Sequence, residues 1–221
     1  MSTTQAGPTE REARKVAEAA RETRWTKPSF GKELFLGRLR LDLVDPWPSY
    51  TPEQIGPSDV QSRNGVIDIL VKDEAEAVVA AQKYLSYFPS NCEAKPPIID
   101  TGDPEDRGSD RLLEIIPESP RTPYDMYEVI KEIVDDGDYF DIKPKFAKSL
   151  ITCFARFGGQ PVGIVANQPK QVGGILDVDS ADKAARFVNL CDAFNIPLLF
   201  LQDVPGFMVG SKVEQQGIIR H

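Results

Sequence analysis

The feature that most constrains this chain lies in residues 149–204. Two apolar runs, SLITCFARF (149–157) and QPVGIVAN (160–167), are separated only by Gly158 and Gly159. A two-residue Gly-Gly link between such runs predicts a β-hairpin, because the favoured hairpin turns need φ > 0 at their central residues. SADKAARFVNLCDAFN (180–195) follows, with Ala184, Phe187, Val188, Cys191 and Phe194 recurring on one helical face. Ser180 is the expected N-cap, Asn195 the left-handed closing residue, and Pro197 forbids continuation. IPLLFLQDV (196–204) then reads as a strand covered on both faces. Strand, strand, helix, strand makes an α/β sheet unit.

Upstream the signals are less regular. PTEREARKVAEAARETR (8–24) has the composition of an exposed helix, with Thr9 and Glu12 placed for a capping box. Residues 30–43 are dense in Leu and Phe, and the Pro-rich stretch DPWPSYTPEQIGP (45–57) marks a boundary. QSRNGVIDILVK (61–72) predicts a short strand after an Asn-Gly turn. DEAEAVVAAQKYLSYF (73–88) predicts a helix capped by Asp73, with Val78, Ala81, Tyr84 and Leu85 on one face. Turn-forming and charged residues from 89 to 110 predict a long loop, and a Pro-punctuated connection runs to Asp125. MYEVIKEIV (126–134) predicts a helix that Asp136-Gly137 ends.

Composition excludes several function classes. A formal net charge of −8 argues against nucleic acid or an anionic membrane surface as the main partner. The one histidine, His221, rules out a His-based triad or a His-rich metal site. Cys92, Cys153 and Cys191 form no CxxC pair, and their odd number leaves no fully paired internal set, so a reducing compartment is expected. Cys153 and Cys191 sit in apolar runs and read as small buried hydrophobes. There is no apolar stretch of membrane-spanning length and no apolar signal region at the N-terminus, which gives an expectation of cytoplasmic location. DTGDPEDRGSD (100–110) lacks the spacing and terminal Glu of a Ca²⁺ loop and reads as a solvated loop.

Three longer stretches carry a family resemblance. FARFGGQPVGIVANQPK, GGILDVDSADKAARFVNLCDAFNIPLLFLQDVPGFMVG and GIIRH resemble the C-terminal carboxyltransferase domain of biotin-dependent acyl-CoA carboxylase β subunits. The propionyl-CoA carboxylase and methylmalonyl-CoA decarboxylase types are the most similar. IGPSDVQSRNGVIDILVKDEAEAVVAAQKYLSYFPSN resembles the end of that family's N-terminal domain. The likeness covers about residues 55–221. Residues 1–50 instead resemble the N-terminal leader of bacterial acyl-CoA dehydrogenases, although a docking arm with a solvated helix explains them equally well. Arg38 and Arg40 offer charge to a CoA phosphate or simply an exposed strand face.

The resemblance implies an α/β fold containing a partial crotonase-type (ClpP/crotonase-like) ββαβ unit behind a helical leader. It implies three segments: a leader at 1–50, the end of the N-terminal domain plus a linker at 51–120, and a C-terminal carboxyltransferase domain at 121–221. The implied reaction moves a carboxyl group from biotin, carried by a partner protein and not bound covalently here, to the α-carbon of an acyl-CoA such as propionyl-CoA. In the family, backbone N–H pairs in Gly-rich turns stabilise the two developing oxyanions, each donor being worth ~3–4 kcal/mol in studied enzymes. Neither turn is found in these residues, so no catalytic residue is assigned and an isolated chain is expected to be impaired. What remains is a wall on the biotin side, formed by Gly173, Gly174, Val204, Pro205, Gly206, Phe207, Met208 and Gly210. Oligomers with other carboxyltransferase subunits and a biotin carboxyl carrier partner are expected. The competing expectation is a non-catalytic assembly or acyl-CoA-binding module that docks on a complete carboxyltransferase.

Overall fold

The computed structural model describes residues 56–221 apart from 105, 107 and 120. The expected helix at 8–24 and the apolar segment at 30–43 lie outside the described residues. Helices α1 (Ser58–Arg63), α2 (Glu74–Leu85), α3 (Arg111–Ile115) and α4 (Met126–Ile133) precede strand β1 (Tyr139–Ile142). Then come β2 (Leu150–Phe157), β3 (Gln160–Asn167), helix α5 (Val178–Ala193), β4 (Leu198–Leu201) and α6 (Ser211–Gln216). The strands form one sheet in the order β1-β2-β3-β4. β1 and β3 flank β2 antiparallel, and β4 joins β3 in parallel, across the α5 crossover.

The predicted hairpin is present, with Phe157 opposite Gln160 across the turn. Gly158 and Gly159 adopt φ +56° and +76°, the conformation that a tight hairpin demands. A β-carbon on Gly159 would lie 1.7 Å from the Ile99 carbonyl oxygen, so no other residue fits there. The Asp135 carboxylate pins this turn, accepting from Gly158 N–H at 2.9 Å, Gly159 N–H at 2.7 Å and the Thr101 hydroxyl at 2.9 Å.

Strand alternation sorts the core into two layers. Leu150 and Phe154 of β2 and Val165 of β3 face Phe187 and Cys191 of α5, together with Tyr87 after α2. Ile151, Cys153 and Ala155 of β2 and Ile164 and Ala166 of β3 face Met126 and Ile130 of α4, and Val134 just after it. β2 is therefore covered on both sides. Phe154 is the hub of the first layer, with ring centroids 4.9 Å from Phe187, 5.2 Å from Phe88 and 5.5 Å from Tyr87. Helix α5 approaches β3 closely at Gly163, where an added β-carbon would sit 2.6 Å from Cys191 Sγ.

Several details differ from the sequence reading. Residues 61–72 do not form a strand: α1 ends at Arg63, and residues 66–72 run irregularly. They reach the sheet through Lys143 N–H, which donates to the Asp68 carbonyl at 2.9 Å, one bond in place of a ladder. Of their apolar residues only Ile69 packs on the core, while Val66 and Leu70 stay exposed. The N-cap of α5 is Asp177, and Ser180 closes a capping box with it from the third helical position. β1, at 139–142, was not foreseen. Its Asp141 interrupts the apolar pattern, and the Tyr127 hydroxyl of α4 binds that carboxylate. The connection between residues 110 and 125 contains the short helix α3. β4 is an edge strand among the described residues, half-buried, with Phe200 57 % exposed.

A buried lysine holds the β1–β2 connection. Lys183, on α5, donates from Nζ to the carbonyls of Lys143, Phe146 and Leu150 at 3.0, 2.9 and 2.7 Å. Three acceptors around one nitrogen need three N–H groups, which only the ammonium form has. Burial pushes its pKa down to about 8, partly countered by the Asp141 charge, so it remains protonated at neutral pH.

Candidate functional site

The expected wall consists of two segments far apart in the sequence, and the fold brings them together. β3 ends at Asn167 and the chain passes through a 3-10 turn at Val172–Gly174 before α5. β4 ends at Leu201 and the loop 202–210 leads to α6. Because β3 and β4 are parallel neighbours, both exits open at the same end of the sheet. Ligands of open α/β sheets bind at this end, outside the carboxyl ends of the strands.

A bridge joins the two segments. Leu176 pairs with Phe207 in parallel fashion: Leu176 N–H donates to the Gly206 carbonyl at 3.1 Å, and Met208 N–H donates to the Leu176 carbonyl at 2.7 Å. Gly174 is buried where the segments touch, and a β-carbon there would lie 3.0 Å from the Asp203 carbonyl and 3.1 Å from the Asn167 side chain. Asn167 Nδ2 in turn donates to the Gly174 carbonyl at 2.9 Å. Gly174 is thus a packing glycine.

Gly173, Gly206 and Gly210 are different: nothing lies within 4 Å of a β-carbon placed on any of them. Gly206 has φ +140°, a conformation that side chains disfavour, beside open space in which another molecule can approach main chain directly. Val204 and Met208 are half-buried, Pro205 is exposed, and Phe207 and Val209 are 53 % and 85 % exposed. All eight expected residues therefore belong to one bridged surface, with Gly174 beneath it.

The sequence reading missed the anchors of this surface. Tyr124, at the entry to α4, donates its hydroxyl to Asp203 Oδ2 at 2.8 Å. Burial, then the hydrogen bond to Asp203 and its charge, push the Tyr124 pKa up to about 12. Its neighbour Asp125 caps α4 by accepting from Tyr127 N–H. Asp125 also accepts from Gln168 Nε2 at 2.8 Å and pairs with Lys170 Nζ at 3.2 Å. Partial burial works to raise the Asp125 pKa, but the bonds from Gln168, Lys170 and Tyr127 N–H outweigh it and hold the carboxyl below its usual value. Gln168, itself buried, returns Oε1 to Met126 N–H at 3.1 Å. The Tyr-Asp pair before an apolar helical run signals a cap in sequence, but nothing local predicts a partner 79 positions away.

The two buried cysteines take no part in this surface. Cys153 and Cys191 are buried, and burial pushes both thiols up, Cys191 to about 12, so neither is a thiolate at neutral pH. His221 Nδ1 lies 2.7 Å from Asp182 Oδ1. Among the described residues no group of three or more His, Cys, Asp or Glu side chains is placed to hold a metal ion. No helix among them is long and apolar enough to cross a membrane.

Residues 48–221 match the carboxyl transferase domain family. The chain belongs to that family. It is 48 % identical over 189 residues to an uncharacterized carboxylase of Bacillus subtilis (strain 168), covering 85 % of this chain and 37 % of that protein. It is 44 % identical over 170 residues to the propionyl-CoA carboxylase beta chain of Roseobacter denitrificans, covering 76 % and 33 %. Among solved structures, transcarboxylase 12S with methylmalonyl-coenzyme A and methylmalonic acid bound superposes with a TM-score of 0.75 at 41 % identity, over 78 % of this chain and 34 % of that one. That protein assembles as a hexamer. The chain thus has the crotonase-like fold expected from its sequence, and it spans about a third of the length of these relatives.

Proposed function

We propose that this carboxyltransferase chain works in carboxyl transfer between carboxybiotin on a partner carrier protein and an acyl-CoA such as propionyl-CoA. Its own contribution is the surface that receives the biotin. The observation that carries this reading is the Leu176–Phe207 bridge, which joins the Gly173-Gly174 turn to the 204–210 loop and leaves Gly206 and Gly210 facing open space. An exposed main chain flanked by Phe207 and Met208 suits the planar ureido ring of biotin, whose N–H and C=O groups need hydrogen-bonding partners. The bound biotin supplies the transferable carboxyl on its N1. Residues 173–176 and 204–210 hold and orient the ring and keep bulky side chains away from it. The oligomeric setting is that of other carboxyltransferase subunits.

A titration of the 221-residue chain with biocytin by calorimetry tests this. Saturable binding is expected, with loss in Gly206→Val, which adds a branched side chain at φ +140°. Equal affinity in the two proteins would refute the placement. A second reading, a non-catalytic module that docks on a complete carboxyltransferase, is favoured by the exposure of Phe200, Phe207 and Val209. That reading expects a complex with a full-length β subunit and no response to biocytin.

A further inference from the structure

We infer that Tyr124 is a positioning residue: its hydrogen bond to Asp203 straps the 203–210 loop to the entry of α4 and sets the form of the surface opposite Gly173. The inference rests on the biotin-side reading for its functional meaning, but the strap itself stands on geometry. Besides the packing of the Asp203 main chain against Gly174, the loop is hydrogen-bonded to the rest of the fold at two places among the described residues. One is the bridge at Leu176 and Phe207, in its middle. The other is Tyr124 to Asp203 at 2.8 Å, where the chain has just left β4. Between them, Val204, Pro205 and Gly206 span a short arc with fixed ends.

The opposite side of the surface is gripped from the same place. Asp125 holds Gln168 at 2.8 Å and Lys170 at 3.2 Å, on the chain leaving β3. Adjacent residues at one helix entry thus fasten both exits of the parallel β3–β4 pair, Asp125 the β3 side and Tyr124 the β4 side. The two grips differ in redundancy. Asp125 has several partners, and Gln168 N–H also donates to the Ser149 carbonyl at 2.8 Å. On the β4 side a single phenol reaches an exposed carboxylate. Removing one hydroxyl therefore frees one edge of the surface and leaves the other in place, with the tyrosine ring still available for packing.

The chain offers a direct probe, because its three methionines are Met1, Met126 and Met208. Met208 lies in the loop and Met126 is buried at the start of α4. In protein labelled with ¹³C-methyl methionine, Tyr124→Phe is expected to broaden or split the Met208 signal and leave Met126 as it was, which also verifies the fold. Amide exchange at Leu176 and Met208, the two bridge donors, is expected to accelerate by about tenfold or more, since hydrogen bonds to charged acceptors are among the stronger ones. Asp203→Ala should behave like Tyr124→Phe. Asp203→Asn keeps a carbonyl acceptor for the phenol and should stay within about threefold of the parent, a rescue that general loosening would not give.

Titration with biocytin then separates the two ideas. A Met208 shift that weakens about tenfold in Tyr124→Phe supports strap and biotin reading together. A loop that loosens in Tyr124→Phe, while Met208 ignores biocytin even in the parent, supports the strap and removes the biotin reading. Parent-like Met208 line shape and bridge exchange in Tyr124→Phe overturn the strap, whatever biocytin does.

Discussion

The β2–β3 hairpin and the β4 edge belong to one sheet and differ in how far they are enclosed. Along β2, seven consecutive residues from Leu150 to Arg156 are buried, because α5 covers one face and α4 the other. Its far end is pinned as well. The Arg156 guanidinium donates to the carbonyls of Ser86 at 2.7 Å, Gly159 at 3.0 Å and Pro97 at 3.1 Å, and its carbon lies 5.0 Å from the Tyr87 ring centroid. β4 has no buried residue, exposes Phe200 and runs directly into the glycine-bearing loop. The contrast is one of enclosure: the hairpin is buried between helices, and the β4 side presents main chain and apolar side chains outward.

Substitutions that break the contrast should differ most in stability at the hub. Phe154→Ala is expected to cost about 3–5 kcal/mol, because its ring is fully buried between Phe187, Phe88 and Tyr87. Denaturant unfolding checks this. Lys183→Met removes three hydrogen bonds and leaves three carbonyls to find other donors. Its pH signature is more specific than its size. The folded-state pKa of Lys183, about 8, lies below the ordinary lysine value of 10.5, so the unfolded chain holds more protons between those limits. The penalty for burying this charge is present below pH 8 and fades towards pH 10.5. The stability of the parent relative to Lys183→Met should thus rise across that window, by up to about 3 kcal/mol.

Two smaller effects sharpen the comparison. Asp135→Ala strips the hairpin turn of an acceptor for two glycine N–H groups and should cost about 2 kcal/mol. Gly163→Ala pushes a methyl towards Cys191 Sγ and Phe187 and should cost about 1–3 kcal/mol, read as a lower thermal midpoint. At the other extreme, Phe200→Ala on the β4 edge should change stability by less than about 1 kcal/mol, since the side chain is already largely in water. A large loss there would mean that β4 is as much a part of the core as β2.

What could be read from the sequence follows the same division. The hairpin, α5 and β4 were legible because Gly158-Gly159, the helical recurrence of Phe187 and Cys191, and the run at 196–201 are local signals. The eight residues of the expected wall were proposed from family resemblance, and the fold brings their two segments together at the Leu176–Phe207 bridge. β1 was hidden because Asp141 breaks its pattern, and the side-chain groups that favour that carboxylate, the Tyr127 hydroxyl and the Lys183 charge, lie on other elements. The proposed strand at 61–72 had the right composition but finds no ladder partner. Tyr124, Gln168 and Lys183 were invisible for one shared reason: each satisfies groups distant in sequence, and no periodicity encodes such a partner.

We propose above that the 173–176 segment and the 204–210 loop form a single surface that receives biotin. A photoreactive biocytin analogue, cross-linked to the intact chain and mapped by peptide mass spectrometry, tests it most directly. Labelled peptides are expected from both segments, competed away by unlabelled biocytin, and none from the β2–β3 hairpin. Competable labelling confined to residues outside both segments would contradict it.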